Sequence, residues 1–513
     1  MDPNPVSPAE QADSTPSLAP DRATDTTLDA GIRPAGPAVP PLTMATKLWY
    51  GIGQAAEGIK DHAFTAFLLF YYTQTLGLSG TLAGFALIIA LVFDAVTDPL
   101  TGVLSDRLDS KWGRRHPFMY AAALPMAVTF YLVFAPPAGL SDGALFAWLT
   151  VFTVLTRASM TLYHVPHMSL GAELSTDYDE RTQIVQLRSI GGSLGIAACT
   201  AVPALYYFRP TPDFPNGQLN PAVYPPFAFV FGILICVAIF VSALGTHNRV
   251  PYLPKPDGSA SERNALSGIV HDMGELLELE SFRALFFGTT TIFIALGLSA
   301  ALGLYAATYF WKITMTEMLI GGACTALGGI VGFIVWPVVA NRIDKKPTFV
   351  LGATIFIIFA AIPYLLKTAG LYPAEGSAGY LPVYYVNQFL WTFGIIAAAI
   401  TGGSMMADVT DEDECRNRRR REGVFFGASS FSAKCASGIG IMLAGMVVDY
   451  VGLVTDMAPE DVTPAMQANL GSVVGLTLLV LVSIGTVFFS RYKITREIHA
   501  GFRETLDARA NED

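Results

Sequence analysis

Charged residues are scarce in this chain: of its 513 residues, 14% are Asp, Glu, Lys or Arg, whereas 52% are hydrophobic. A soluble protein carries about 25% charged residues, so the composition argues against a soluble fold. The five cysteines form no Cys-x-x-Cys pair and no metal-ligand spacing, and three of them lie in apolar runs. A disulfide framework is therefore not expected. No catalytic cluster, nucleotide-binding loop or basic face emerges, so we predict no enzyme activity, no cofactor and no nucleic-acid partner.

We expect no signal peptide in the N-terminal region. Residues 1–43 are rich in Pro, Ala, Asp, Ser and Thr, and they contain no basic start followed by an apolar core. This composition, with almost no aromatic residues, predicts a disordered tail. Residues 491–513 are charged, and we expect them to form a second tail with a short surface helix.

The sequence does contain twelve apolar segments, each near the ~20 residues with which an α-helix spans a bilayer. We therefore predict an all-α integral membrane protein with twelve transmembrane helices. A long connection falls midway, at residues 248–282, and divides the chain into six-helix bundles at 44–247 and 283–490. Parallel halves with a site at their interface are an architecture of transporters. The predicted segments are 46–76, 81–106, 117–136, 144–172, 184–208, 224–246, 283–311, 317–340, 348–367, 379–407, 423–450 and 470–490.

Lysine and arginine are distributed unevenly between the loops. The connections after segments 2, 8 and 10 are basic, whereas residues 73–81 and 451–470 contain neither Lys nor Arg. By the positive-inside rule the basic loops face the cytoplasm, so both termini are predicted to be cytoplasmic. The tyrosines near segment ends fit an interfacial aromatic belt; they are Tyr71, Tyr72, Tyr384 and Tyr385.

Two carboxylates interrupt the second apolar segment. Asp94 and Asp98 are four residues apart, which places both on one face of a helix, about one turn from each other. A charge at mid-bilayer costs roughly 2.5 to 3.5 kcal/mol on insertion scales, so such residues face a cavity or a partner. The repulsion between two carboxylates is relieved by a bound cation or a proton. The alternative is a structural salt bridge to another helix.

Several motifs in order resemble one family. The pattern of Gly102, Asp106 and Arg107 followed by Gly113, Arg114 and Arg115 is similar to the loop signature of the major facilitator superfamily. More narrowly, the chain resembles the glycoside–pentoside–hexuronide cation symporters from about residue 45 to 490. The motifs that carry this resemblance are DAVTDPLTGVLSD (94–106), WGRRHPF (112–118), KLWYGIG (47–53), FYYTQTLGLS (70–79), TLYHVPHMSL (161–170), DERTQIVQLRSIGG (179–192), MADVTDED (406–413) and GASSFSAKCASG (427–438).

The resemblance implies a cation site on helices 2 and 4. The family's carboxylates and threonine match Asp94, Asp98 and Thr161, and Thr97 stands where a member of the family has an asparagine. Carboxylate and hydroxyl oxygens suit a small hard cation, so the first two would be metal ligands if the ion is sodium. The same carboxylates can instead carry a proton.

The resemblance also implies a substrate site, from which this chain departs. The family's sugar-binding aspartate on helix 4 is replaced by His164, and its neighbouring tryptophan by Met168. Gly58 matches a helix 1 aspartate, and among its neighbours Glu57, Lys60 and Asp61 the last is expected to take part of that role. The predicted substrate residues are Asp61, Arg157, His164, Met168, Arg188 and Lys434.

Other interpretations of these residues remain open. Arg157 lies two helical turns before His164, and its alternative role is an interhelical ion pair with Glu57 or Asp61. His164 near carboxylates is either a titrating relay, since its unperturbed pKa is near 6.5, or a neutral hydrogen-bonded histidine. Lys434 lies about three turns inside segment 11, where it cannot easily reach the membrane surface, which favours a functional role.

The resemblance assigns gating to the loop after helix 2. In the superfamily such charges join the two halves on the cytoplasmic side when the cavity opens outward. The gating residues implied here are Gly102, Asp106, Arg107, Gly113, Arg114 and Arg115.

The function predicted is secondary transport: cation-coupled symport, with sodium or protons, of a sugar, glycoside or uronide by alternating access across the bacterial inner membrane. The expected partners are a small-molecule substrate, the coupling cation and membrane lipid.

An alternative is transport of an anionic amphiphile such as a lysophospholipid, because HVPH at 164–167 resembles the branch that includes the vertebrate lysophosphatidylcholine transporter. A remote alternative is a polyprenyl-transferase-like enzyme, which uses an Asp-x-x-x-Asp pair to hold magnesium diphosphate. Such an enzyme needs a second aspartate-rich loop, and residues 329–344 lack one.

Overall fold

The computed structural model describes residues 40–175, 177–253, 274–418, 422–455 and 457–510. These ranges are helical and contain no β-strand. Short π-helical turns at Phe64–Leu68 and Tyr71–Thr75 prolong the first helix, and a break at Ala361 divides the ninth. The helices are α1 Met44–Ala63, α2 Gly80–Arg107, α3 His116–Val133, α4 Asp142–Glu173, α5 Tyr178–Val202, α6 Tyr224–His247, α7 Glu280–Tyr305, α8 Met315–Ile343, α9 Lys345–Thr368, α10 Tyr380–Asn417, α11 Glu422–Val451, α12 Pro464–Ser490 and α13 Arg496–Ala510.

Local sequence signals set several helix starts. Thr43 and Thr463 accept hydrogen bonds from backbone N–H groups in the first turns of α1 and α12. At α8, Thr314 and Glu317 form a reciprocal capping box. Such caps satisfy backbone donors that have no partner inside the helix. The helices α1 and α8 begin two residues before their predicted segments, and α12 begins six residues before its segment.

Eleven helices of the described chain are long and apolar enough to cross a membrane, which agrees with the predicted all-α membrane fold. Among α1–α12 the exception is α1, which carries Lys47, Glu57, Lys60 and Asp61. Lys60 Nζ lies 3.1 Å from Glu57 Oε1 and 2.5 Å from Asp61 Oδ1, so three of these charges neutralise each other in part. Internal pairing lowers the cost of placing them among apolar helices.

The helices pack as two sets of six with matching neighbours. In the first set α1 packs on α5 and α6, while α4 packs on α2 and α3. In the second set α7 packs on α11 and α12, while α10 packs on α8 and α9. In each set the first and the fourth helix pack mainly on other helices and contact each other little. We call the space between them the cleft of that set: it lies between α1 and α4 in one and between α7 and α10 in the other.

The two sets meet most closely along α2 and α11, where glycines allow near contact of the backbones. A Cβ on Gly80 would lie 2.3 Å from Gly445 O, and one on Gly445 would lie 2.0 Å from Gly80 O. At Gly84, a Cβ would lie 3.0 Å from the Cα of Met442. Small residues at such crossings are the usual means of close helix packing in membranes.

Several expectations for the loops and tails can be compared with the structure. The short C-terminal helix is present as α13 and lies against α10, where His499 Nε2 is 2.9 Å from Asp411 Oδ2. Residues 1–39 of the predicted disordered tail (1–43), residues 254–273 of the linker and the basic run 419–421 lie outside the described residues.

The prediction of an interfacial tyrosine belt was wrong for three of the four tyrosines. Tyr71, Tyr72 and Tyr384 are 3%, 0% and 5% exposed. Tyr71 stacks on Tyr224 at 4.2 Å between ring centroids, and Tyr72 donates its hydroxyl to the carbonyl of Val133. These rings fill the spaces between helices because an aromatic side chain contributes more contact area there than at a lipid surface.

The predicted topology can be tested with two single cysteines in a cysteine-free background. Lys111 and Glu460 are both exposed, in the loop after α2 and the loop after α11. Because the first loop is basic and the second is not, we expect Glu460→Cys to react with an impermeant maleimide from outside intact cells. Lys111→Cys should react only after the cells are opened. Labelling of Lys111→Cys from outside would overturn the orientation.

Candidate transport site

The carboxylates of α2 each contact a basic side chain. Asp94 Oδ2 lies 2.5 Å from Arg157 Nη1, and Asp98 Oδ2 lies 2.5 Å from Lys434 Nζ. Asp98 Oδ1 also accepts a 2.7 Å hydrogen bond from Thr161 Oγ1. Five of the predicted site residues are thus brought together, and their formal charges sum to zero.

The two ion pairs differ in which helices they join. Arg157 belongs to α4, so its pair with Asp94 lies inside the first set of helices and is buried, with both side chains 13% exposed or less. Lys434 belongs to α11, so its pair with Asp98 joins the two sets. That second pair is more open, with side chains 49% and 25% exposed.

Thr97 takes a different orientation from its predicted neighbours. Its hydroxyl donates to the carbonyl of Phe93, one turn back on the same helix, at 3.1 Å. This is the usual alternative for a threonine inside a helix. The oxygen of Asp94 that does not meet Arg157, Oδ1, is buried and accepts no hydrogen bond from the described residues.

The cleft between α1 and α4 is lined with ionisable groups. Lys60 is 4% exposed and contacts both Glu57 and Asp61, while His164 Nδ1 lies 3.8 Å from Glu57 Oε2. The Asp61 side chain is 55% exposed, so it faces open space from within the helix pair. The sequence placed Asp61 and His164 in the site, and the structure adds Glu57 and Lys60 as the groups between them.

Arg188 and Met168 form a separate pair beside this cleft. The guanidinium of Arg188, on α5, points its Nη1 at the sulfur of Met168 on α4. Beneath them, the buried His167 ring stacks on Tyr50 at 4.3 Å and on Tyr163 at 5.0 Å between centroids. His167 Nε2 also lies 3.0 Å from the carbonyl oxygen of Tyr50. These stacked rings fix α4 against α1 and so position the residues above them.

The predicted gating residues form a cluster whose described ion pairs lie within the first set of helices. Arg115 Nη2 lies 2.5 Å from Asp106 Oδ1 and 2.7 Å from Glu173 Oε1, and Arg114 Nη2 also lies 2.7 Å from Glu173 Oε1. Gly113 has φ = 75°, a conformation that glycine adopts without strain. Glu173 was missed by the sequence analysis because it ends α4, far along the chain from the loop.

The remaining two gating residues lie on α2. A Cβ on Gly102 would meet only Val165 Cγ1, at 3.8 Å, and Arg107 is the last residue of the helix.

The second set of helices carries a matching cluster. Lys345 Nζ lies 2.6 Å from both oxygens of Asp408, and Asp344 caps the start of α9 by accepting from Lys345 N. Tyr492 donates its hydroxyl to Asp408 at 3.0 Å, and burial raises the pKa of Tyr492, which keeps the proton on that hydroxyl. A cavity of about 550 Å³ adjoins this cluster under α13. Each set of helices thus carries a cluster of basic and acidic side chains in the loop after its second helix.

The two sets of helices are also joined at the end that carries the 76–79 loop. Asp449, at the end of α11, accepts from Gly80 N at 2.6 Å, Thr81 N at 2.8 Å and Ser79 Oγ at 2.8 Å. A carboxylate is favourable there because the N-terminus of a helix carries partial positive charge.

Three further hydrogen bonds at this end involve α7 and the π-helical turn Ala306–Phe310 that follows it. Thr73 Oγ1 lies 2.5 Å from Tyr305 Oη, Tyr309 Oη donates to Gln74 Oε1 at 2.7 Å, and Gln218 Nε2 donates to Thr308 Oγ1 at 3.0 Å. The structure is therefore closed at this end.

We predict that Asp449→Ala opens this end more often. The substitution removes three hydrogen bonds to an ionised acceptor, and because Asp449 is exposed we expect a change of about 1 kcal/mol, or roughly fivefold in the closed-to-open ratio. Electron–electron distance measurements between spin labels at Ser141→Cys and Glu460→Cys report the ratio. Asp461→Asn, in the same loop region, is the control and should leave the distances unchanged. An unchanged distribution in Asp449→Ala would show that this contact does not hold the end closed.

Residues 49–496 match the family model described as MFS/sugar transport protein. The match covers most of the chain, and the protein belongs to this family of membrane transporters. It is therefore a transporter rather than an enzyme, and the polyprenyl-transferase alternative is set aside.

Curated relatives with similar sequences include symporters and sugar carriers. The chain is 27% identical to "Uncharacterized symporter sll1374" of Synechocystis over 91% of this chain and 97% of the relative. It is 24% identical to "Isoprimeverose transporter" of Lactiplantibacillus pentosus, over 80% and 81%. It is 23% identical to "Glucuronide carrier protein homolog" of Escherichia coli, over 81% of this chain and 85% of the relative. The resemblance to the glycoside–pentoside–hexuronide symporters is thus confirmed.

Solved structures confirm the fold. The nucleoside transporter NupG matches with a TM-score of 0.59 at 13% identity, over 88% of this chain and 100% of that one. A bacterial homologue of the peptide transporters PepT1 and PepT2 matches with a TM-score of 0.56 at 14% identity, over 87% and 98%. At such identities the likeness concerns the fold alone.

Proposed function

We propose that this protein is a cation-coupled symporter of the bacterial inner membrane, with both termini in the cytoplasm, that carries a sugar, glycoside or uronide. The observation that supports coupling most directly is the pair between Asp98 and Lys434, which links α2 of one set of helices to α11 of the other. Transport by alternating access requires contacts between the two halves that form and break.

In this proposal Lys434 acts as a tethered cation at the ion site. Its ammonium neutralises Asp98 in the structure, so a coupling ion that binds Asp98 must displace it. Displacement breaks a link between the halves, and it also releases a positive charge into the cavity. Movement of the halves then depends on whether the ion is bound, which is one requirement of coupling.

The oxygen atoms around α2 fit either coupling ion. Asp94 Oδ1 is buried without a described donor, and Asp98 and Thr161 supply further oxygens within one helical turn. A sodium ion takes such oxygen ligands, while a proton needs only one carboxylate. With the orientation that loop charge predicts, the closed end faces outward, so the structure corresponds to an inward-facing state.

The charges of the cavity favour a solute with a carboxylate or similar anion. When a cation takes the place of Lys434 at Asp98, Arg157 stays paired with Asp94. The released Lys434 then adds to Arg188, against a net charge of −1 on Glu57, Lys60 and Asp61. An uncompensated positive cavity is costly, and an anionic solute relieves that cost.

Among the relatives, one is named a glucuronide carrier homolog and another a putative 2,3-dihydroxypropane-1-sulfonate exporter, whereas the isoprimeverose transporter's name indicates a neutral sugar. An anionic amphiphile such as a lysophospholipid is the second candidate, and the exchange of a tryptophan for Met168 supports it by giving a softer apolar wall.

The coupling role is tested with Asp94→Asn and Asp98→Asn. Each substitution removes a charge that the cation neutralises, so gradient-driven accumulation in proteoliposomes should fall at least tenfold. A labelled panel of sugars, glycosides and uronides, with sodium and proton gradients imposed separately, identifies both ion and solute. Exchange of solute without a gradient should persist, because it does not require net ion movement. Asp142→Asn, at the exposed start of α4, is the control, and undiminished accumulation in Asp98→Asn would refute the assignment.

The charge of the solute is tested by competition among neutral sugars, hexuronides and lysophospholipids for binding to purified protein. We expect hexuronides to bind at least tenfold more tightly than the matched neutral sugars, and this preference to disappear in Lys434→Ala and Arg188→Ala. Lys493→Ala, a surface lysine paired with Glu280, serves as the control for loss of a positive charge. Tight binding of a neutral sugar that neither variant affects would rule out the anionic solute.

A further inference from the structure

An apolar cavity of about 350 Å³ lies inside the second set of helices, between α7 and α10. Such a volume lies within the range of about 300–1,000 Å³ for small-molecule sites. The cavity has no charged side chain on its wall, and its polar side chains are the hydroxyls of Thr289 and Ser429. The residues that define it are Ile292, Phe293, Leu296, Gly402, Gly403 and Met406.

The position of this cavity corresponds to that of the charged cleft in the first set of helices. There the cleft lies between α1 and α4, the first and fourth helices of the set, and holds Glu57, Lys60 and His164. The apolar cavity lies between the first and fourth helices of the second set, which pack on matching neighbours. The same cleft is thus filled with ionised groups in one half and left apolar in the other.

Two adjacent glycines keep the cavity open. A Cβ added to Gly402 or to Gly403 would meet no atom within 4 Å, although both lie in the middle of α10. At other glycines of this helix set an added Cβ would collide with a neighbouring backbone: at Gly328 it would lie 2.2 Å from Phe389 O, and at Gly394 2.6 Å from Phe356 N. Close helix packing explains those glycines. Close packing does not explain Gly402 and Gly403, because alanine would fit at both positions. Since glycine in a helix costs about 1 kcal/mol relative to alanine, another reason for these two glycines is expected. What they provide is space.

We propose that this cavity receives an apolar part of the transported solute, so that the substrate is a glycoside or uronide with an apolar aglycone rather than a free sugar. The inference rests on the proposed transport function and refines its substrate class. The polar end of such a solute meets the charged cleft of the first half, and the aglycone enters the apolar cleft of the second. Closure of the halves around one molecule then requires both ends, since each half recognises a different chemistry.

The test compares matched pairs of ligands that differ only in the aglycone. Purified protein is titrated with methyl and phenyl forms of the same glucosides, galactosides, xylosides and glucuronides. Within the sugar series that binds, the phenyl form should bind at least tenfold more tightly, equivalent to 1.4 kcal/mol. In Gly402→Leu the leucine side chain occupies the cavity, and the phenyl-to-methyl ratio should fall to near one.

Two further variants make the comparison interpretable. Gly403→Leu fills the same cavity from the next position and replaces Gly402→Leu if that protein does not fold. Gly322→Leu, on α8, is the matched control, because a Cβ there also meets no atom within 4 Å and the residue does not line the cavity. The control should keep the full phenyl preference.

The outcomes separate this inference from the proposed function. Equal binding of methyl and phenyl forms in the wild type, with intact cation-driven uptake of the sugar, would refute the apolar aglycone and leave symport standing. Loss of a co-purified lipid in Gly402→Leu, with the phenyl preference unchanged, would assign the cavity to a lipid chain. That result would also refute the proposal that the cavity receives the aglycone. If no glycoside or uronide binds at all, the proposed function itself fails.

Discussion

The ion pair between Asp98 and Lys434 constrains the rest of the molecule. Each residue is a charge on an apolar helix, and each would be costly to place there alone. The pair requires that α2 and α11 approach closely, which the glycines at 80, 84 and 445 permit. It also determines the chemistry of its surroundings, because Arg157 must then neutralise Asp94, and Thr161 supplies the second hydrogen bond of Asp98.

The two halves share a packing pattern but differ in what fills the corresponding clefts. In the first half Glu57, Lys60 and His164 form a polar network at the α1–α4 cleft. In the second half the α7–α10 cleft is lined by apolar and small residues. A repeated fold therefore provides two unlike clefts, and this difference is the basis for proposing a solute with two unlike ends.

The sequence was sufficient for features that depend on local patterns. Apolar length predicted the membrane helices, and the four-residue spacing placed Asp94 and Asp98 on one face of α2, where the structure has them. It could not predict that Lys434 reaches Asp98, which lies 336 residues earlier, because helix periodicity carries no information on which helices become neighbours. Glu173 and Asp449 were missed for the same reason. The tyrosines failed differently: position near a segment end did not reveal that Tyr71 and Tyr72 face other helices instead of lipid.

The ion pairs inside one half are buried, whereas the ion pair that joins the two halves, and that breaks in the proposed mechanism, is more exposed. The pairs of Arg115 with Glu173 and of Arg157 with Asp94 lie within one half, and their side chains are no more than 13% exposed. Removing a partner from such a buried pair is strongly destabilising, because the other charge cannot be solvated. The Lys434 side chain is 49% exposed, so its pair with Asp98 is far more accessible than the buried pairs. In the proposed mechanism this accessible pair is the one that a coupling ion replaces, whereas the buried pairs hold each half together.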